Sequence, residues 1–219
     1  MYKLIAFDLD GTLADTLADL ANAMNFALGQ EGLPGYPVDD YRRFVGNGID
    51  NLVTVTMADG YTPDGAERVK AGFYAYYADH CIDFTVAYEG MGELLKKLSD
   101  DGIATAVVSN KPDRFVPGIL SALYPDHSFT YAWGKQDGVA RKPDPEALNR
   151  LIELCGVKKS EVLYVGDSNV DVVFAHNADV KVCGVSWGFR GEAELREAGA
   201  DCIVDSAEDL YEVIRGTDE

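Results

Sequence analysis

The chain has 219 residues, of which 47% are hydrophobic and 26% charged, the composition of a globular protein with one core or one core plus a modest insert. Lys and Arg total 19 against 37 Asp and Glu, so the formal net charge is -18. Such a surface repels nucleic acid and anionic membranes, and neither is expected as a partner. It also repels anionic substrates, so a phosphate site in this chain requires local positive charge.

We expect the chain to be cytoplasmic. The apolar run at residues 3–7 is too short for a signal peptide and is followed by Asp8 and Asp10. No apolar run approaches the ~20 residues of a membrane-spanning helix. The four cysteines form no CxxC pair and are expected to be reduced thiols.

The hydrophobic pattern predicts strands that alternate with helices along most of the chain. The predicted strands cover residues 3–7, 103–108, 128–132, 161–165, 181–186 and 202–204. Helices are predicted over residues 91–100, 113–123 and 144–155, after Gly166, between the last two strands and at the C-terminal end. This alternation is typical of an α/β fold with a parallel sheet covered on both faces.

Residues 15–85 interrupt the alternation directly after the first strand. They contain predicted helices over residues 16–31, 39–58 (two short ones) and 63–80, and no convincing strand. We therefore predict an all-helical cap of residues 15–85, inserted into a core that comprises residues 1–14 and 86–219. The cap aromatics could line a ligand pocket, although packing within the cap is the favoured interpretation: Phe73, Tyr74, Tyr76 and Tyr77.

Two acids follow the first predicted strand. Side chains alternate along a strand, so Asp8 and Asp10 point the same way, and Gly11 permits a sharp turn out of the sheet. Two neighbouring carboxylates repel each other, and a divalent cation between them removes that cost. Because the available ligands are oxygens, the sequence favours Mg²⁺.

Other polar residues lie near the ends of later strands. Ser109 and Asn110 end one buried strand, and Lys142 lies just before a helix. Asp167 and Asp171 follow another strand and share one face if a helix begins there. The carboxyl ends of parallel strands meet at one sheet edge, where ligands bind, so we expect these groups to converge in one cleft.

Each segment has an ordinary interpretation when it is taken alone. The first acids could form a solvated turn, Asp167 could cap a helix, and Lys142 could be a surface lysine. Their occurrence in this order, three of them at strand ends, favours a single site.

Together these segments resemble the four motifs of the haloacid dehalogenase-like phosphatase superfamily. They occur in the family's order, with the helical insert after the first: DLDGT at 8–12, SN at 109–110, KP at 142–143 and GDSNVD at 166–171. The resemblance implies a Rossmann-like sheet with a mobile cap. It also implies a Mg²⁺-dependent phosphatase that acts on small phosphate monoesters.

The resemblance also implies a role for each matching residue. Asp8 is expected to be the nucleophile that forms an aspartyl-phosphate, and Asp10 the acid and base. The Asp8 carboxylate, the Asp10 backbone carbonyl and Asp167 are expected to bind Mg²⁺, with Asp171 orienting the site from behind. The phosphoryl oxygens are expected to contact Ser109, Asn110 and Lys142.

Residues 42–48 resemble the cap segment of phosphoglycolate phosphatases, which implies 2-phosphoglycolate as substrate. An arginine could pair with the substrate carboxylate, or both arginines could be solvated. The candidate specificity residues are Arg42, Arg43, Gly46, Asn47 and Gly48. Pyrophosphate, nucleotides and sugar phosphates remain open as substrates, and the oligomeric state is not predicted.

Other functions also fit parts of the sequence. A sugar-phosphate mutase would share the fold and the nucleophile, and a silent phosphate-binding module would share the fold without the activity. Residues 184–188 fit the GxSxG pattern of serine hydrolases. Every histidine precedes Ser186, whereas those enzymes place the catalytic histidine after the serine, which argues against this class.

Overall fold

A computed structural model describes residues 1–216 of the chain. Six strands form one parallel sheet in the order β5-β4-β1-β6-β7-β8, and two short strands, β2 and β3, form an antiparallel ribbon. The strands are β1 (Leu4–Phe7), β2 (Ala14–Asp15), β3 (Val86–Ala87), β4 (Ala104–Pro112), β5 (Tyr131–Lys135), β6 (Val162–Gly166), β7 (Lys181–Val185) and β8 (Cys202–Val204). The predicted α/β class with a parallel sheet is confirmed.

The helices begin and end largely where the sequence signals predict. They are α1 (Leu17–Gln30), α2 (Tyr41–Phe44), α3 (Gly48–Met57), α4 (Pro63–His80), α5 (Met91–Asp100), α6 (Val116–Leu123), α7 (Glu146–Cys155), α8 (Asn169–Asn177), α9 (Gly191–Ala198) and α10 (Ala207–Arg215). At the start of α4 the Thr62 hydroxyl accepts a hydrogen bond from the Gly65 N–H. None of the described helices is both long and apolar enough to cross a bilayer.

The central strand β1 shows how the sheet builds two cores. Its residues are all buried and alternate between the two faces. Ile5 and Phe7 belong to the apolar cluster that includes α5, α6 and the insert. Leu4 and Ala6 belong to the cluster on the other face, with α7 and α8. Polar groups that follow β1 are therefore held at the sheet edge by a strand that is buried on both sides.

In the sequence, helices α1 to α4 come after β2 and before β3, the two strands of the ribbon. Ala14 pairs with Ala87 and Asp15 with Val86, so the ribbon lies at both predicted ends of the cap. The apolar cluster of the core continues into the insert, where the Tyr77 ring packs edge-on against Phe115 at 5.0 Å. The division into two domains at these residues stays a prediction.

Two details of the strand prediction differ from the structure. Strand β4 continues to Pro112 rather than ending near Val108, and β5 covers residues 131–135 rather than 128–132. Pairing between the two strands explains both, because Pro112 lies opposite Lys135 after an irregularity in the β4 ladder. The ribbon was missed because two-residue strands have no period that can be read from the sequence.

Asp19 ties the start of the insert to its end. This buried carboxylate in the first turn of α1 accepts hydrogen bonds of 2.7 to 3.1 Å from the Phe84 and Thr85 N–H groups and from the Thr85 hydroxyl. The chain leaves and re-enters the core at these residues. The Thr85 hydroxyl also lies within hydrogen-bond distance of the Cys81 carbonyl, but the two N–H groups have Asp19 as their described acceptor, which makes the contact costly to lose.

We predict that Asp19→Asn lowers the free energy of unfolding by about 2 to 3 kcal/mol, because the amide nitrogen cannot accept these hydrogen bonds. In a chain of this length the melting temperature should fall by roughly 5 to 10 °C. Calorimetry checks this. Asp79→Asn, at an exposed position of α4, is the matched control and should change stability by less than about 0.5 kcal/mol. Equal melting temperatures for the two variants would contradict the assignment.

Candidate active site at the carboxyl edge of the sheet

The candidate site lies where β1, β4 and β6 end side by side. Asp8 follows β1, Ser109 to Lys111 belong to the last part of β4, and Asp167 follows β6. Lys142 reaches the same edge from the loop before α7. Parallel pairing of adjacent strands therefore brings together groups that are up to 159 positions apart in the sequence (Asp8 to Asp167).

Three buried carboxylates form the centre of the site. Oxygens of Asp8, Asp167 and Asp171 all lie within 4.8 Å of one another. Lys142 is the buried cation beside them, with Nζ 2.9 Å from Asp8 Oδ1 and 2.7 Å from Asp171 Oδ1. Three carboxylates thus face one ammonium group, an arrangement that leaves an excess of buried negative charge.

Asp171 is held from every side by protein donors. Its Oδ2 accepts hydrogen bonds from the Ser168 N–H and hydroxyl, which also cap α8. Its Oδ1 accepts from Lys142 Nζ and the Tyr164 hydroxyl. The carboxylate of Asp171 therefore positions Lys142 and the start of α8.

The carboxylate of Asp8 has fewer hydrogen-bond donors than that of Asp171. Asp8 Oδ1 is buried and accepts no hydrogen bond of good geometry from any residue within 1–216, although Lys142 Nζ lies close to it. Burial raises the pKa of Asp8, and the charges of Asp171 and Asp10 raise it further, against the opposing effect of Lys142. Burial and the charges of Asp171 and Asp8 likewise raise the pKa of Asp167. These carboxylates are ionised at neutral pH only at a cost that a bound cation would remove.

The carboxylate set fits a hard divalent cation. Oxygen-only donors and net negative charge are what Mg²⁺ sites offer, and a buried carboxylate oxygen without a hydrogen-bond donor is what a metal ligand looks like. Asp8 meets this description through Oδ1. Asp167 comes close to it, because the one donor to its carboxylate among the described residues is the Phe189 N–H, on Oδ2. Asp171 does not meet it, because both its oxygens already accept hydrogen bonds.

Two glycines let the backbone approach Asp167. A Cβ atom added to Gly11, which has a φ of 86°, would lie 2.3 Å from Asp167 Oδ2. One added to Gly188 would lie 2.2 Å from Asp167 Cβ. The next residue, Phe189, donates its N–H to Asp167 Oδ2 at 2.6 Å. The loop after β7 thus closes around Asp167 and sets its orientation.

Asp10 lies outside this cluster and contacts the insert. Its Oδ1 accepts hydrogen bonds from the Thr16 hydroxyl at 2.6 Å and from Lys111 Nζ at 2.9 Å. Lys111 Nζ also donates to the Tyr77 hydroxyl at 2.7 Å. Asp8 and Asp10 line one cavity, as their predicted common orientation requires, but each is paired with a different lysine.

Core side chains hold the cap loop by its backbone. Asn110 Nδ2 donates to the carbonyl oxygens of Gly46 and Lys142, which uses both of its amide hydrogens. Arg190 donates to the Val45 carbonyl, and Arg141 donates to the Asn47 carbonyl, so three consecutive carbonyls of the loop are engaged. In this arrangement Asn110 has no side-chain donor left for a phosphoryl oxygen.

The residues predicted from the cap motif separate into two groups. Gly46 and Gly48 have positive φ angles of 115° and 79° and line the cavity. Arg42 and Arg43 lie outside the cavity lining and pair with Asp39 and Asp40 on the preceding turn. The structure therefore does not bring either arginine to the acids. Asn47 contributes a carbonyl to Arg141 and is also outside the lining.

The cavity is small and opens beside a cationic groove. Its volume is ≈30 Å³, and its lining includes Asp8, Asp10, Ser109 and Lys111. The groove shares Gly48 and Asn110 with it and has a volume of ≈680 Å³. Four cations line the groove against three acids, on a chain with a net charge of -18: Lys70, Arg114, Lys135 and Arg141 against Asp50, Asp113 and Asp137. The local positive charge that an anionic substrate requires is present here.

Two of the cations that link core and insert, Lys111 and Arg190, were not among the residues predicted from the sequence. Lys111 directly follows Ser109-Asn110 in a buried strand, and a lysine in such a position on an acidic chain indicates a partnered charge. Arg190 follows the strand end at Val185 and therefore lies at the functional edge of the sheet. The nearby residues 184–188 carry the GxSxG pattern of serine hydrolases. The Ser186 hydroxyl instead hydrogen-bonds Asp205.

A family model described as haloacid dehalogenase-like hydrolase matches residues 5–185. The chain belongs to this family. It is 33% identical to a phosphoglycolate phosphatase of Mannheimia succiniciproducens, over 97% of this chain and 98% of the relative. It is 36% identical to a phosphoglycolate phosphatase of Pseudomonas syringae pv. tomato, over 98% of this chain and 79% of the relative. The family resemblance drawn from the motifs is confirmed.

A solved structure from Lactobacillus delbrueckii subsp. bulgaricus superposes on this hydrolase with a TM-score of 0.92. It is 36% identical and covers 97% of this chain and 98% of its own. The predicted haloacid dehalogenase-like fold is therefore confirmed as well.

We predict that Gly188→Ala destabilises this hydrolase by about 1 to 3 kcal/mol, because the new methyl group overlaps Asp167. Gly118→Ala is the matched control. Gly118 lies in α6, where an added Cβ meets no atom within 4 Å, so the substitution should stabilise the chain by about 0.5 to 1 kcal/mol. Urea unfolding measures both changes, and a shift of the same sign for the two variants would refute the packing argument.

Proposed function

We propose that this chain is a Mg²⁺-dependent phosphatase that hydrolyses small phosphate monoesters through an aspartyl-phosphate on Asp8. The observation that carries the proposal is the cluster of Asp8, Asp167 and Asp171 around Lys142, in which three buried carboxylates face one ammonium group. Such a cluster suits a metal ion together with a phosphoryl group, since phosphoryl transfer depends on positioning and charge neutralisation. The family membership of the chain supports the same conclusion.

The residues that would hold Mg²⁺ are Asp8 and Asp167 through their carboxylates and Asp10 through its backbone carbonyl. When bound, the ion supplies the positive charge that lets an anionic nucleophile approach an anionic phosphate. Asp171 orients the groups around the site. It accepts hydrogen bonds from Lys142 Nζ and from the Ser168 hydroxyl, and these fix the Lys142 side chain and the start of α8.

The first chemical step uses Asp8 and Asp10. A carboxylate oxygen of Asp8 attacks phosphorus and forms a P–O bond, and the bond to the ester oxygen breaks. The ester oxygen leaves with the electron pair and takes a proton from Asp10. Water then attacks the phosphorus of the aspartyl-phosphate and gives its proton to Asp10, which restores Asp8 and releases inorganic phosphate.

Charge on the phosphoryl oxygens is balanced by Lys142 and the Ser109 hydroxyl. Lys142 Nζ lies 2.9 Å from Asp8 Oδ1 and is therefore close to any group that Asp8 attacks. Ser109 lines the same cavity. Asn110 supports this arrangement by accepting the Lys142 N–H through Oδ1 at 2.8 Å and by holding the Gly46 carbonyl.

The substrate that the relatives and the cavity favour is 2-phosphoglycolate. Relatives 33% and 36% identical to this chain are named phosphoglycolate phosphatases. A cavity of ≈30 Å³ is much smaller than a substrate, and Val45 and Gly46 of the cap loop form part of its wall. A small ester then needs less rearrangement than a nucleotide or a sugar phosphate.

We predict that Asp8→Asn lowers kcat at least about 10³-fold, as expected when the nucleophile of a concerted catalytic unit is lost. The carboxamide cannot form the acyl-phosphate. Release of inorganic phosphate from 2-phosphoglycolate measures the rate. Ser186→Ala, which removes the serine of the GxSxG segment, is the control and should leave kcat unchanged. Loss of activity in the Ser186 variant alone would reverse the assignment.

We predict that Mg²⁺ at 100 times its Kd raises the melting temperature of the wild-type chain by roughly 5 to 10 °C at pH 7, equivalent to about 2.7 kcal/mol. Asp167→Asn should abolish most of this shift, because it removes a ligand and part of the excess negative charge. Asp79→Asn, far from the cluster, should keep the shift in full. A melting temperature that does not respond to Mg²⁺ would contradict the metal site.

We predict that the Mg²⁺-induced rise in melting temperature becomes smaller as the pH falls. The pKa of Asp8 is raised to about 6 in the folded, metal-free chain, against about 3.9 for an unfolded Asp. A raised folded pKa means that this group stabilises the fold below about pH 4, and that this stabilisation is lost as pH rises through about 6. Protons and Mg²⁺ compete for the same oxygens, so the Mg²⁺-induced shift should shrink between pH 7 and pH 5.

A further inference from the structure

Lys111 is a buried cation that the proposed chemical steps do not use. Its side chain is 1% exposed and lies at the end of β4, where it lines the cavity beside Asp10. Within residues 1–216 it is the only Lys or Arg in the cavity lining. Lys142 pairs with Asp8 and Asp171 but is not part of the lining, and neither are Arg42 and Arg43.

The position of Lys111 relative to Asp10 places it on the leaving-group side. In the proposed reaction Asp10 gives its proton to the ester oxygen, and Lys111 Nζ is 2.9 Å from Asp10 Oδ1. In 2-phosphoglycolate the carboxylate carbon is joined to that ester oxygen through a single methylene. A lysine next to the proton donor is therefore within reach of the second anionic group of such a substrate.

The hydrogen bonds of Lys111 leave it able to bind one more acceptor. An ammonium group has three donors, and the described partners of Nζ are Asp10 Oδ1 and the Tyr77 hydroxyl. Tyr77 comes from α4 of the insert, and its ring also lies under the ammonium at 4.8 Å. The cation is thus held in place from the core and from the insert.

We propose that Lys111 determines substrate specificity by pairing with the carboxylate of an ester whose leaving group is a short hydroxy acid. This inference rests on the proposed function and assigns to Lys111 the task that the sequence suggested for Arg42 or Arg43. Charge explains the selectivity, because Asp8 and Asp10 repel any second anionic group that Lys111 does not neutralise. An ester whose leaving group is uncharged has no second anionic group for Lys111 to neutralise.

The test compares 2-phosphoglycolate with ethyl phosphate, in which a methyl group replaces the carboxylate. Lys111→Met keeps the length of the side chain and removes its charge, and it should lower kcat/KM for 2-phosphoglycolate about 10- to 100-fold more than for ethyl phosphate. Lys111→Arg should restore part of the difference. Lys96→Met, which removes an exposed lysine paired with Asp100, is the control and should change neither value.

The ratio between the two substrates separates specificity from structure. If Lys111 only supported the fold or Asp10, Lys111→Met would lower both values equally, and that result would overturn the inference. A wild-type enzyme that hydrolyses both esters equally well would also overturn it while leaving the phosphatase assignment intact. Failure to release phosphate from either ester would instead count against the proposed function.

Binding gives a second readout that does not depend on turnover. In an Asp8→Asn background, calorimetry can compare the Kd of 2-phosphoglycolate and ethyl phosphate with and without Lys111→Met. Weaker binding of 2-phosphoglycolate alone supports the role of Lys111. An equal loss for both ligands, or no loss for either, contradicts it.

Discussion

The excess of buried negative charge at the end of β1 is the constraint on which the rest of the site depends. Asp8, Asp167 and Asp171 are nearly inaccessible to water, and Lys142 alone among the described residues balances them directly. Ionised groups in such surroundings are costly unless they are paired or bind a metal ion. The fold maintains this arrangement with strands buried on both faces, with the cap of α8 and with two glycines packed against Asp167.

A second constraint is the overall acidity of the chain. With a net charge of -18, the surface opposes the approach of a phosphate ester. Positive charge near the site reduces this repulsion. The groove beside the cavity is lined by more cations than acids, and the site itself contains two buried lysines. The two lysines lie beside different acids, since Lys142 pairs with Asp8 and Lys111 with Asp10.

The insert contributes contacts to the site, whereas the clustered carboxylates all come from the core. The loop of the insert is held through the carbonyls of Val45, Gly46 and Asn47, and its helix α4 supplies Tyr77 to Lys111. Every residue has a backbone carbonyl, so these contacts do not depend on which side chains the loop carries. The loop sequence therefore did not reveal them.

The sequence by itself determined the order of strands and helices, the insert and the acids at strand ends, because burial on both faces and the turn at Gly11 leave local signals. It also indicated a convergent site, since parallel strands end at one edge. Only the tertiary structure decided which groups pair. The pairing of Lys111 with Asp10 depends on how two core strands meet. The contacts of Lys111 with Tyr77 and of Arg190 with Val45 depend on how the insert packs on the core. Contacts between segments so distant in the chain have no local period, so no pattern in the sequence predicts them.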